Sequence, residues 1–179
     1  MRVPAMVRWP GKVPSGVITE EPLTAHDWYK TFAALAEASD RVPTDRPLDG
    51  VDASQFLLGE SKTSGRQAVL FFGPDGELMS VKWRNIKVWL RYSEGTDKPI
   101  VTPQWPMVFD LGSDPGERYN LFNTKMDMGW MFGVIWKFVV EHEQSVAQYR
   151  NIKPGEEFLG YEPETEQAAK EPELAHAGV

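Results

Sequence analysis

Four groups of residues in this chain have the right types, closely enough spaced, to do chemistry. His26-Asp27 sets an imidazole beside a carboxylate, the pairing that general acid–base catalysis uses. Glu141-His142-Glu143 lines up three metal-type donors. Lys82, Arg84, Lys87 and Arg91 concentrate positive charge on neighbouring strands, and Ser113-Asp114-Pro115-Gly116-Glu117 places a hydroxyl among acids. Each also has a plainer reading. Asp27 falls where a helix begins, so it and His26 read as capping or packing groups. Adjacent helical positions point apart, which leaves Glu141, His142 and Glu143 solvated on a helix surface. The basic group reads as a solvated sheet face, on which alternation sets Lys82 beside Arg84 and Lys87 beside Arg91. Asp114-Pro115-Gly116 is a turn in which proline supplies a fixed φ. The chain has no cysteine, which excludes disulfides, thiolate metal sites and a cysteine nucleophile.

The elements that must position these groups follow from periodicity. Residues 2 to 22 hold Pro4, Pro10, Pro14 and Pro22, and predict a short strand from Ala5 to Arg8 with a turn at Trp9-Pro10-Gly11. Thr24 and Asp27 have capping-box spacing, with Thr24 as the cap. Trp28, Phe32, Leu35 and Ala36 then mark one apolar helix face, which should stop near Ser39-Asp40, before Pro43. Pro43 to Gly65 is a polar connector with a turn at Asp49-Gly50-Val51-Asp52 and an anchor at Phe56-Leu57-Leu58.

From Gln67 the period changes. Ala68 to Phe72 is a buried strand run closed by Gly73-Pro74-Asp75-Gly76. Met79, Val81 and Trp83 alternate with polar residues, Ile86, Val88, Leu90 and Tyr92 alternate with Lys87, Trp89 and Arg91 after Arg84-Asn85, and Met107 to Leu111 adds a further strand. A helix is predicted over 127–149, apolar nearly all round in its first half. Lys137 and Glu141-His142-Glu143 break that run well short of the roughly 20 apolar residues a bilayer crossing needs. Trp130, Phe132, Trp136 and Phe138 exceed what one sheet face can bury. They predict a contact with another part of an enzyme, a second subunit or a membrane interface. Residues 163–179, including His176, read as a disordered tail. The fold class is therefore α+β: a small antiparallel sheet packed against a long C-terminal helix.

Over 179 residues the chain is 41% hydrophobic, 25% charged and 12% aromatic, enough for a packed core, while 14 prolines and 15 glycines favour a loop-rich protein. A net charge of -7 argues against binding a phosphate backbone, so no nucleic-acid partner is expected. Met1-Arg2-Val3-Pro4 shows no apolar signal region, and Met1 reads as an internal methionine.

One run carries more information than any single side chain. Asp110 to Leu121, in the order D-L-x-x-D-P-G-E-x-x-N-L, resembles a C-terminal motif of sulfatases. Arg2 to Lys12 (RVPAMVRWPGK) resembles a segment that precedes a late strand and turn in the same family. Asp27 and Thr31 match its D-x-x-P-T helix signature, with Trp28-Tyr29-Lys30 replacing the usual Leu-Leu-Pro. Asp49, Gly50, Asp52, Ser54 and Leu57 match a D-G-x-D run, and Asn151 through Tyr161 is similar to the end of a bacterial-type arylsulfatase. The resemblance covers residues 2 to 162.

The resemblance implies a fold in which residues 1–60 form the last strand and helix of an α/β alkaline-phosphatase-like sulfatase domain and 61–162 an antiparallel subdomain. It implies sulfuric ester hydrolysis through a formylglycine made within a C/S-x-P-x-R motif, with calcium on oxygen ligands neutralising the sulfate. The chain contains no such motif: Ser113-Asp114-Pro115-Gly116-Glu117 has Glu117 where the arginine belongs. The expectation is a C-terminal portion that is inactive alone, binds no calcium by itself and partners a catalytic region that holds the sulfate ester. Arg84, Lys87 and His26 are its candidates for bordering the substrate cleft. The complete enzyme is expected in a periplasm or secreted. The rival readings are a related phosphoesterase or phosphonate hydrolase, and a non-catalytic protein that binds a partner or membrane.

Overall fold

A computed structural model describes residues 3–95, 97–124, 129–150, 152 and 155–157. Its centre is a four-stranded antiparallel meander: β1 (Ala68–Phe72), β2 (Leu78–Trp83), β3 (Ile86–Trp89) and β4 (Met107–Asp110), side by side in chain order. The register sets Leu70, Val81, Val88 and Val108 in one row across the sheet. Because side chains alternate along a strand, that row fixes one face as apolar. Helix α3 (Trp130–Gln148) lies on it and inserts Met131, Ile135, Phe138 and Val139, spaced as one helical stripe. Ala68, Leu78, Val81, Val88 and Val108 meet them to form the core. Each of these side chains larger than alanine contributes about 1.5–3 kcal/mol on burial, so the sheet and α3 stabilise one another. The expected α+β arrangement is present. Among the described residues no helix is long and apolar enough to cross a membrane.

Before the sheet come helix α1 (Asp27–Leu35), a single 3-10 turn at Ser39–Arg41, and the one-turn helix α2 (Ser54–Leu57). Three expectations need correction here. Ala5 to Arg8 is not a strand: a strand needs a ladder partner, and none is present among the described residues. Helix α1 ends at Leu35, short of Ser39-Asp40, because Glu37 takes a left-handed φ of 54°. The N–H of Ala38 then donates to Ala33 O (2.8 Å) and that of Glu37 to Ala34 O (3.0 Å), a Schellman closure. Thr24 is not the helix cap; His26 holds that position, without a side-chain cap bond.

The third correction extends to the orientation of α1. Its buried side chains are Asp27 and Thr31, while Phe32, on the expected apolar face, is 58% exposed. Trp28 stacks on Phe32 with ring centres 5.4 Å apart, so the apolar stripe covers itself only in part. The helix is seated on the chain by its polar edge.

The expected helix start at Asp127, the segment around Asn151, Lys153 and Pro154, and the tail at 163–179 lie outside the described residues.

Candidate functional site

The densest polar constellation is built around Asp27, fully buried in the first turn of α1. Its carboxylate accepts from the N–H of Thr24 (2.7 Å), the hydroxyl of Thr24 (2.8 Å) and the N–H of Val51 (2.8 Å). Arg66 faces it fork to fork, Nε on Oδ2 at 2.8 Å and Nη2 on Oδ1. The same guanidinium donates to Asp49 O (2.7 Å) and Ala68 O (3.2 Å), tying the connector and β1 into one knot. Burial pushes the Asp27 pKa up, but the Arg66 hydrogen bond, then those from Val51 and Thr24, outweigh it and hold it at about 2. Thr31, one turn on, accepts from the N–H of Ala53 at 3.0 Å. Gly50 passes so close to the helix start that a Cβ there would lie 2.1 Å from His26 O. With every lone pair engaged, Asp27 has no freedom to move a proton. The knot is architecture, and Arg66 is a member that the sequence reading missed.

The sheet face opposite α3 carries a second node. Lys87, 5% exposed, bonds Glu117 Oε1 at 2.8 Å and lies over the rings of Trp89 (4.2 Å) and Phe71 (4.7 Å). Trp89 Nε1 donates to the other Glu117 oxygen. Lys87 is therefore not on a solvated face, as alternation alone had suggested. Glu117 arrives from the loop after β4, at a left-handed φ of 53°. Beside the node, the buried Ser80 hydroxyl has no hydrogen-bond partner among the described residues.

The loop that delivers Glu117 is the Asp110 to Leu121 run, and its acids, its serine and its asparagine each have a local task. Asp110 accepts from the N–H of Gly112 (2.9 Å) and the hydroxyl of Ser113 (3.1 Å). Asp114 accepts from the N–H groups of Arg118 (2.6 Å) and Tyr119 (2.8 Å). Asn120 accepts from Phe122 (3.1 Å) and from the edge-strand N–H of Val108 (3.0 Å). Ser113 to Glu117 is a turn, as its proline and glycine imply.

The three cleft candidates are not brought together; no hydrogen bond, ion pair or ring contact links them among the described residues. His26 is exposed at the start of α1. Arg84 is not in β2 beside Lys82: it is the exposed first residue of the two-residue hairpin turn between Trp83 and Ile86, at φ 52°. Its guanidinium stacks over Trp83 at 4.7 Å, and Trp83 meets Trp130 edge-on at 6.3 Å. On α3, Phe138 is core and Phe132 is half-buried against Phe122, whereas Trp130 and Trp136 remain exposed. His142 packs against the Phe72 ring and Glu141 pairs with Lys137, so that trio does not converge.

No family model matches the chain. It is 35% identical to human arylsulfatase G in a 131-residue alignment that covers 67% of this chain and 24% of that protein. It is 34% identical to bovine arylsulfatase A in a 141-residue alignment that covers 69% of this chain and 27% of that protein. This chain belongs to the sulfatase family. The match is to a C-terminal portion of these sulfatases. The chain spans about a quarter of the length of the curated relatives it matches. A sulfatase from Pseudoalteromonas sp. shares the fold, with a TM-score of 0.70 at 23% identity over 81% of this sulfatase chain and 30% of that one.

Proposed function

We propose that this chain is the C-terminal part of an arylsulfatase-like sulfuric ester hydrolase, which supports the catalytic domain and shapes its substrate cleft. Residues 1–60 would complete the edge of an α/β alkaline-phosphatase-like domain, and 61–162 would form the subdomain packed beside it. The observation that carries the reading is the Asp110 to Leu121 loop, whose acids and Asn120 hold the loop itself, the edge strand or the Lys87–Trp89 face rather than a reacting atom. The nucleophile belongs to the catalytic region, since neither a cysteine nor a C/S-x-P-x-R motif occurs in the sequence.

Calcium, bound elsewhere in the complete enzyme, would offset charge on the sulfate oxygens. The donors described here do not fit it. Asp27 is paired with Arg66 and Glu117 with Lys87, and no cluster of three His, Cys, Asp or Glu suited to a metal occurs among the described residues. Arg84, exposed at a hairpin tip, remains the residue proposed to border the cleft; Lys87 is committed to Glu117. A periplasmic or secreted location for the complete enzyme is part of the same reading and rests on the resemblance.

The test is 4-nitrophenyl sulfate turnover with calcium. The chain alone should show none. A chimaera of human arylsulfatase G carrying this chain in place of its matched quarter should hydrolyse the ester. Turnover by the pure chain alone, or a folded chimaera without activity, overturns the proposal.

A further inference from the structure

We infer that the outward stripe of α3 binds a second copy of this chain, with the two α3 helices antiparallel across a two-fold axis. The inference stands apart from the reading proposed above. One stripe of α3 faces the sheet. Turned away from it, Gly133, Lys137, Val140, Gln144 and Ala147 recur at alternating intervals of four and three residues, and all are exposed. That is the spacing of a helix–helix seam. Trp130 and Trp136 stand on its two flanks, 60% and 55% exposed. A single copy has no use for this second seam. Nor does it use Gly133: a Cβ there meets no atom within 4 Å, although glycine inside a helix costs about 1 kcal/mol relative to alanine. The glycine leaves an outward hollow between two aromatic rings.

The patch is complementary to itself, as a two-fold contact requires. With the axis between residues 136 and 137, Val140 of each copy enters the hollow at the partner's Gly133. Trp136 packs beside the partner's Trp136. Lys137 and Glu141 lie 3.7 Å apart on the helix surface, so the antiparallel pair also brings Lys137 within reach of the partner's Glu141. A parallel pair would set glycine on glycine and lysine on lysine. A membrane surface fits less well, because Glu141 and Glu143 are exposed beside the tryptophans and the net charge is -7. Helix α3, with 19 residues, is about 28 Å long. Two such helices bury on the order of 1,000 Å² between them, the low end for a specific interface. The dimer is therefore weak, with a Kd of about 10–100 µM.

The test is sedimentation equilibrium of the full chain from about 1 to 300 µM. The 20.3 kDa species should give way to one of twice that mass as concentration rises. Gly133→Glu has open space around it and should melt no lower than the parent, yet weaken pairing by about tenfold or more. Lys137→Glu should weaken pairing by about threefold, and adding Glu141→Lys should restore it. Tyr119→Ser, at an exposed site away from α3, should leave pairing unchanged. A chain that stays monomeric at the highest concentration overturns the inference. So do larger species in place of a dimer, or a dimer indifferent to both Gly133→Glu and Lys137→Glu. Binding of the monomer to phosphatidylglycerol vesicles instead of pairing would assign the stripe to a membrane and overturn it as well.

Discussion

Replacing Asp27 by Asn tests the knot that seats α1. The exchange keeps the shape, removes the charge and turns one acceptor into a donor. That amide N–H would then face the donors of Thr24 or of Arg66, which has no acceptor of its own. The pair is well buried, with side-chain exposures of 0% for Asp27 and 10% for Arg66, so little solvent screening softens the loss. Breaking a buried pair from one side costs about 3–5 kcal/mol. For a protein of this size that lowers the melting midpoint by about 10 °C at neutral pH. The pH dependence gives an independent check. With the native pKa depressed from 3.8 to about 2, the charged carboxylate favours the folded state. That contribution, about 2–3 kcal/mol, is complete above roughly pH 5 and lost as pH falls to about 2. The gap between parent and Asp27→Asn should therefore narrow sharply between those values. Calorimetric melts of both proteins from pH 7 to pH 2 measure it. A neutral-pH penalty below about 1 kcal/mol, or a gap that stays constant on acidification, would refute this account of the knot.

Other substitutions read other parts of the structure. Gly50→Ala puts a methyl 2.1 Å from a backbone carbonyl that cannot yield; urea unfolding should show a loss of about 3 kcal/mol or more. Lys87→Met leaves Glu117 without its cation on a mostly covered face, at a cost of about 1–3 kcal/mol, and should shift Trp89 fluorescence as its partner loosens. Ser80→Ala removes a buried hydroxyl that has no partner among the described residues, so stability should hold or rise by up to about 1 kcal/mol in the same unfolding assay.

The sheet and α3 were legible because their signals are local. Alternation at Met79 to Trp83 and Ile86 to Tyr92 marks two strands, and an apolar run as long as that before Glu141 has to be covered. Helix α1 misled for a physical reason. Trp28, Phe32 and Leu35 show that a face needs a partner, but not whether that partner is in the same chain. The strand at Ala5 to Arg8 failed in the same way, since a ladder is a property of two segments. Arg66 left no pattern at all: its role exists only once the chain folds back 39 residues to Asp27. Lys87 looked solvated because its pairing depends on Glu117, 30 residues downstream. Arg84 was misassigned by one position, enough to move it from a strand face to a hairpin tip. The cleft candidates were chosen by charge, which says little about where a side chain is spent.

The acids and amide between Asp110 and Leu121 hold a loop in shape and pin it to the sheet beneath. A genome survey keyed to that run of letters would thus harvest proteins that build this scaffold, whatever their competence to cleave an ester. Paralogues stripped of the nucleophile would pass unnoticed among working enzymes. Sorting pseudoenzymes from active members calls for a second criterion, taken from the catalytic region itself.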